Sequence, residues 1–266
     1  MSHPLCIRWT IGDVSPAGFE ALGLSILGAR MLFGPDAVYA IGVNTIPVEE
    51  AQRRAGALPE WLRWVEIGFE PAAFLAPSLD AGMAEGTGWK LIPPRLFPGM
   101  DELALDNDVI LWRMPEALGC WLEGGRRGCV IAEDVAEGHG RFAALCGPSP
   151  RNSGIRAIPA GFDFAGALRA VLAEHPGPLT SELDEQGLQV AALSRGADPL
   201  VVTSDEVSIC SPFPPHQPEP GRCGAHMVGL NAHDIPWRFH DRPAPPSTSG
   251  WSIGRSSAPG FASILA

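Results

Sequence analysis

Leu5-Cys6-Ile7-Arg8-Trp9-Thr10-Ile11, close to the start of the chain, is a β-prone run, and Ala37-Val38-Tyr39-Ala40-Ile41-Gly42-Val43 is a second apolar one. What lies between them decides the fold. Ser15 is placed to cap a helix with Pro16 in its first turn; Phe19, Leu22, Ile26, Ala29 and Phe33 follow at helical spacing; Gly34-Pro35 stops the pattern. Strand, helix and strand in that order form one crossover unit, and a parallel sheet covered on both faces is its natural consequence.

Outward from this unit the alternation continues. A second helix is predicted over 48–57 and a short strand over 61–68, while 71–88, rich in Ala and Gly, reads as loop and short helix. Trp89-Lys90-Leu91-Ile92-Pro93-Pro94-Arg95-Leu96 is a basic, aromatic lead-in to a further strand. The ordering favours an α/β fold, a single open, doubly wound, mostly parallel sheet flanked by helices, over a sandwich or a bundle. Farther on, helices are expected over 114–122, 162–175 and 181–193, and strands over 128–132 and 152–159, with 199–202 and 207–210 as a last pair of short strands. Ser181, Glu182 and Asp184 stand in the first turn of the 181–193 helix, where acids complement the helix dipole. Residues 1–241 are thus read as one domain, and 242–266, dominated by Pro, Ser, Gly and Ala, as a poorly ordered tail.

With 45% hydrophobic residues in a length of 266, the chain can bury a sizeable core in one domain. A formal net charge of −11 argues against nucleic acid as a partner, because scattered Lys and Arg cannot neutralise a long phosphate backbone. Any bound phosphate must then be met by a metal ion and a few local cations. The six cysteines are widely spread and the chain opens on Met1-Ser2-His3-Pro4 without a charged-then-apolar leader, so free thiols and a cytoplasmic location are expected. No apolar run approaches the roughly 20 residues of a membrane-spanning helix.

The chemistry centres on Glu102-Leu103-Ala104-Leu105-Asp106-Asn107-Asp108-Val109-Ile110-Leu111. A strand that leaves the core and ends in Asp-x-Asp offers two carboxylates to one site, where a hard divalent cation and the phosphates it carries can dock. Taken alone, the tripeptide also fits an ordinary turn; Lys90 and Arg95 upstream are the possible phosphate ligands that strengthen it. Three further clusters add to it. Arg151-Asn152-Ser153-Gly154-Ile155 could hydrogen-bond sugar hydroxyls across a close backbone approach or be a plain turn. Leu183-Asp184-Glu185-Gln186-Gly187-Leu188-Gln189 could position a carboxylate near a reacting carbon or merely complement the dipole. Cys223-Gly224-Ala225-His226-Met227-Val228-Gly229-Leu230-Asn231, followed by Ile235-Pro236-Trp237, sets a histidine in a loop where a ring nitrogen can ligate metal. A zinc site from Cys210, Cys223, His226 and His233 is the competing use of that histidine, but the spacings match no standard zinc pattern.

Read in order, these four clusters and the later Pro236-Trp237 resemble the retaining nucleotide-sugar glycosyltransferases of family 8, the glycogenin and galactosyltransferase type, from about Leu5 to Trp237. The resemblance implies the GT-A fold, an Mn²⁺ or Mg²⁺ cofactor, a nucleotide-diphosphate sugar as donor and an acceptor that the sequence does not name. It places the metal on Asp106, Asp108 and His226, the donor sugar against Asn152, Ser153 and Gly154, and Lys90 beside the donor's phosphates. Asn107 and Gly229 fall inside the same matched elements and count with the donor-binding residues. Thr10 and Asp13, at the end of the first strand, are expected near the nucleotide base or ribose, since ligands bind at the carboxyl ends of parallel strands.

Two departures stand out. The family's Asp-Gln-Asp-x-Leu-Asn is here Asp184-Glu185-Gln186-Gly187-Leu188-Gln189, so Glu185 holds the place near the anomeric carbon, where a carboxylate can be a nucleophile or stabilise positive charge. Asp184 and Glu185 are accordingly the candidate catalytic residues. The family's Gly-x-x-Lys-Pro-Trp is stretched and has no lysine, leaving His233 as its candidate substitute. A sugar nucleotidyltransferase would need a Gly-rich basic loop after the first strand, and Ile11-Gly12-Asp13-Val14-Ser15-Pro16 has one Gly and no Lys or Arg. A sugar-nucleotide-binding protein without turnover is the other alternative, and the missing lysine and the altered Asp-Gln-Asp element are its warrant.

Overall fold

The computed structural model describes residues 3–67, 73–79, 88–211, 215–216 and 219–233. Most of the 71–88 segment, Ile235-Pro236-Trp237 and the 242–266 tail lie outside the described residues.

Ten strands and six helices alternate along them. β1 (Leu5–Ile11), α1 (Pro16–Phe33), β2 (Val38–Val43), α2 (Val48–Ala55) and β3 (Arg63–Glu66) are followed by β4 (Asp101–Leu105), β5 (Val109–Leu111) and α3 (Glu116–Glu123). Then come β6 (Val130–Glu133), α4 (Ala143–Cys146), β7 (Arg151–Ile158), α5 (Phe164–Glu174), α6 (Glu182–Leu193), β8 (Leu200–Val202), β9 (Val207–Cys210) and β10 (Gly224–Met227). The seven-stranded main sheet has the order β3-β2-β1-β4-β7-β6-β8, and β7 alone runs against the rest. To the single sheet expected, the structure adds a small three-stranded one in the order β5-β10-β9.

The first crossover forms as its residues dictate. The Ser15 side chain accepts from the Gly18 amide, Pro16 opens α1, and Gly34, at φ 73, closes it with its N–H on the Arg30 carbonyl. The buried stripe of α1 includes Phe19, Leu22, Ile26 and Ala29. Gly28 is obligatory: a Cβ there would stand 2.1 Å from the Leu111 carbonyl oxygen, so α1 lies directly on β5. Ser25 completes the contact, accepting from the Trp9 indole at 2.8 Å and donating to the Val109 carbonyl at 2.5 Å. The helix after β1 therefore fixes the strand that leaves Asp108.

Alternation then divides the sheet. Ile7, Trp9, Leu103, Leu105, Ile155 and Ala157 pack into the core beneath α1 and α3, while Ile131, Ile158, Phe164, Leu168 and Leu188 form a second core beneath α5 and α6. On that second face of the central strands sit Arg8, Glu102 and Arg156, at most 2% exposed.

The sequence expectation for the last strands needs correction. β8 pairs with β6 at the edge of the main sheet and β9 pairs with β10 in the small one, so 199–202 and 207–210 are not partners. Nor are they last, because Gly224–Met227 is a strand and carries His226, which the sequence reading had put in a loop. Gly and Ala at 224 and 225 weaken any strand signal; the pairing comes from β5 and β9, remote in sequence.

Candidate active site

Three strand ends converge on one place. After β4 the chain turns, with the Val109 amide donating to the Asp106 carbonyl at 3.0 Å, and Asp106, Asn107 and Asp108 occupy the turn. Because β7 lies antiparallel beside β4, its first residues flank that turn: Leu105 pairs with Ile155, and the Asp106 amide donates to the Gly154 carbonyl at 2.8 Å. An irregularity in the β6–β7 register, where Ala132 aligns with Asn152 but Ile131 with Arg156, leaves Ser153, Gly154 and Ile155 without partners on β6. Finally β10 runs antiparallel to β5, pairing His226 with Val109 beside Asp108.

One ligand atom from each of Asp106, Asp108 and His226 lies within 4.8 Å of the others. His226 Nε2 is 3.3 Å from Asp108 Oδ1 and 3.7 Å from Asp106 Oδ2, and Lys90 Nζ is 2.5 Å from that same Asp106 oxygen. Asp108 Oδ1 is fully buried and, at 3.3 Å from the imidazole, is not aligned for a hydrogen bond. Gly154 makes room for the ring, since a Cβ there would meet His226 Cε1 at 2.6 Å. Asn231, in the turn after β10, donates to Asp108 Oδ2 at 3.3 Å and exchanges hydrogen bonds with Asn107.

The charges steer one another. Burial pushes the Asp106 carboxyl up, but the Lys90 ammonium and His226 outweigh it and hold it below the ordinary carboxylate range. Burial presses His226 towards its neutral form, and the Asp108 and Asp106 carboxylates reverse that and raise it. Lys90 behaves likewise: burial lowers it, while Asp106 and Glu185 bring a net rise. Glu185, 2% exposed in the first turn of α6, is pushed up to about 7, because desolvation exceeds the pull of Lys90 and Arg156. Its Oε1 accepts from the Gln189 amide, whose own oxygen accepts from Arg156.

A cavity of about 190 Å³ joins these groups. Of the residues singled out from sequence, Lys90, Asp106, Asp108, Asn152, Ser153, Glu185, His226 and Gly229 line it. Others have different employment. Asp184 accepts from the Thr180 and Arg141 amides and the Thr180 hydroxyl, which ties down the start of α6. Asn107 is buried and donates to the Gly18 carbonyl. Thr10 accepts from Arg8, and Asp13 pairs on the surface with Arg54 at 2.6 Å and with His233 at 3.3 Å. Arg95, proposed above as a phosphate ligand, is buried away from the cavity on the carbonyls of Met100, Pro159 and Phe162. Cys210, Cys223 and His233 do not join His226; among the described residues the Asp106, Asp108 and His226 set is the one group of such side chains able to hold a metal.

Sequence reading missed Asp134, which lines the cavity and accepts from the Asn152 amide at 3.0 Å, and His216, which meets the Ser211 hydroxyl at 2.8 Å. Neither carried a local signal. Arg8 and Arg156 did carry one, as single charges inside apolar strands. They stand in one row with Ala104 between them, and both guanidinium groups donate to the Lys90 carbonyl, at 3.3 and 3.1 Å.

No family model and no curated protein sequence matches the chain. Among solved structures it is similar to the galactosyltransferase LgtC in complex with donor and acceptor sugar analogues, with a TM-score of 0.51 and 12% identity over 84% of this chain and 87% of that one. It is similar to an active-site mutant of LgtC with a TM-score of 0.52, again at 12% identity over 84% of this chain and 87% of the other. No helix among the described residues is long and apolar enough to cross a membrane. In the arrangement of its mostly parallel sheet and flanking helices, the chain has the GT-A fold of these glycosyltransferases.

Proposed function

We propose that this protein is a metal-dependent glycosyltransferase that moves a sugar from a nucleotide-diphosphate donor to an acceptor oxygen with retention. One observation carries the reading: Asp106, Asp108 and His226 converge within 4.8 Å at the carboxyl end of β4, in the fold of a galactosyltransferase. The residues suit a hard divalent cation, Mn²⁺ or Mg²⁺, since they offer carboxylate oxygens and an imidazole nitrogen, and among the described residues the buried Asp108 Oδ1 has no aligned hydrogen-bond donor. Bound there, the ion would neutralise the diphosphate as it leaves.

The chain's own groups would do the rest. Lys90, on the cavity wall, adds a positive charge for the phosphates. Asn152, Ser153 and Gly229 face the donor, and Asp134, a carboxylate on the cavity wall, is set to take a sugar hydroxyl. Glu185 is the catalytic residue, its carboxylate meeting the positive charge that develops at the anomeric carbon. Asp184 acts as a positioning residue by pinning the turn from which Glu185 projects. Thr10, in β1, and Asp13, just beyond its carboxyl end, are the residues proposed for the nucleoside, by the rule that ligands bind at the carboxyl ends of parallel strands.

Calorimetry with a panel of nucleotide sugars, with and without Mn²⁺, tests the reading. The expected result is Mn²⁺-dependent binding of one donor with slow hydrolysis, lost in Asp108→Ala, and a released sugar of retained anomeric configuration. Binding with no hydrolysis or transfer to any acceptor would instead identify a sugar-nucleotide-binding protein, and activity retained in Asp108→Ala would remove the metal assignment.

A further inference from the structure

Lys90 is not placed as a metal site would ordinarily place a neighbouring cation. Its Nζ is 2.5 Å from Asp106 Oδ2, the oxygen that also lies 3.7 Å from His226 Nε2, so it shares the carboxylate face on which the three candidate ligands converge. An ion bound at the usual distance of ~2.1 Å from that oxygen would stand within about 5 Å of the ammonium, and repulsion at that range is strong in a buried site. The backbone of Lys90 cannot retreat, because the Arg8 and Arg156 guanidinium groups, on two different strands of the main sheet, both hold its carbonyl. Its side chain can move, being 26% exposed on the cavity wall and built on a flexible four-carbon stem.

We propose that Lys90 is a built-in counter-cation: in the free protein its ammonium competes with the divalent ion for Asp106, and a diphosphate draws it off, so that metal and diphosphate enter together. The inference rests on the metal-site reading above and assigns it a regulation. A protein without donor then holds little metal, because its acidic pair is already neutralised from within. The diphosphate supplies the differential interaction that such a shift requires, since it attracts both the ammonium and the ion.

The test is binding of Mn²⁺ alone to the full chain, followed by calorimetry and by the loss of the free-ion electron paramagnetic resonance signal. Lys90→Met should bind Mn²⁺ at least about tenfold more tightly than the unmodified protein, the size expected from losing one charge-assisted hydrogen bond that opposes binding. Lys90→Arg should stay as weak as the parent, and Asp108→Ala in the Lys90→Met background should erase the gain. Equal or weaker binding by Lys90→Met, still sensitive to Asp108→Ala, overturns the role of Lys90 and leaves the metal site standing. Absence of Mn²⁺ binding in every variant overturns the metal site and this inference with it. Lys90→Gln, which keeps a polar head, replaces Lys90→Met if thermal unfolding shows the latter to be misfolded.

Discussion

Replacing Glu185 by Gln should stabilise the fold, by an amount that grows with pH. The side chain is 2% exposed, and its carboxyl is raised from an ordinary value of 4.5 to about 7, desolvation outweighing the nearby Lys90 and Arg156. Well below the unfolded value both folded and unfolded chains hold the proton, and Gln, equally neutral, is an equivalent. Between the two values the unfolded chain releases its proton while the folded one keeps it; above about 7 the folded chain must ionise Glu185 inside the site. Stability is therefore lost as pH rises through this window. At about 1.4 kcal/mol for each tenfold difference in proton affinity, the gap between Glu185→Gln and the parent should widen by about 2–3 kcal/mol from about pH 5 to about pH 8. Gln can still accept from the Gln189 amide, so the substitution changes charge more than packing. Urea unfolding of both proteins in a chelating buffer, followed by tryptophan fluorescence, measures the gap at each pH, and other titrating groups cancel in the difference. A gap that stays constant within about 1 kcal/mol, or that narrows as pH rises, would refute the reasoning.

Other consequences are as direct. Asp108→Ala should lower Mn²⁺-dependent release of nucleotide from the donor by at least about a hundredfold, read as product formed per enzyme, because several kcal/mol of charge stabilisation pass through that ligand set. Gly154→Ala would put a Cβ 2.6 Å from His226 Cε1 and 2.8 Å from its Nδ1, so the ring must shift: Mn²⁺ affinity measured by calorimetry should fall at least about tenfold, with a stability loss of about 1–3 kcal/mol. Gly28→Ala collides with a backbone oxygen at 2.1 Å, so chemical denaturation should show a net loss of about 1–3 kcal/mol even though Ala gains roughly 1 kcal/mol in helix propensity; a stabilised variant would mean that α1 and β5 are not in that contact. Because the carboxylate form of Glu185 is the one that acts, turnover should decline as pH falls through about 7, and the residual turnover of Glu185→Gln should lack that decline.

Much of the scaffold was legible because its signals are local. A capping serine with a following proline, a helical apolar stripe and a terminating Gly-Pro define α1 without reference to anything else, and the apolar runs on either side define β1 and β2. The acidic turn after β4 was legible for the same reason, as two carboxylates between apolar runs. The local signal was thin at β10, where Gly224 and Ala225 read as loop, and it did not distinguish Asp184 from Glu185. Adjacent residues on a helix point about 100° apart, and only the packing of α6 decides that Glu185 faces the cavity while Asp184 is tied to the Thr180 and Arg141 amides.

By itself, then, the sequence determined the α/β alternation, the residues around the first crossover and the kinds of side chain available for chemistry, since each depends on propensity and periodicity within a dozen neighbours. Tertiary structure alone decided their company. The insertion of β7 antiparallel between β4 and β6 sets Asn152 and Gly154 beside Asp106, and the pairing of β10 with β5 brings His226 to Asp108 across more than a hundred residues. It also aligns Arg8, Ala104 and Arg156 in one row beneath Lys90. Strand register is a property of two chains' worth of hydrogen bonds and buried faces, not of either strand, and the site exists only where those registers meet.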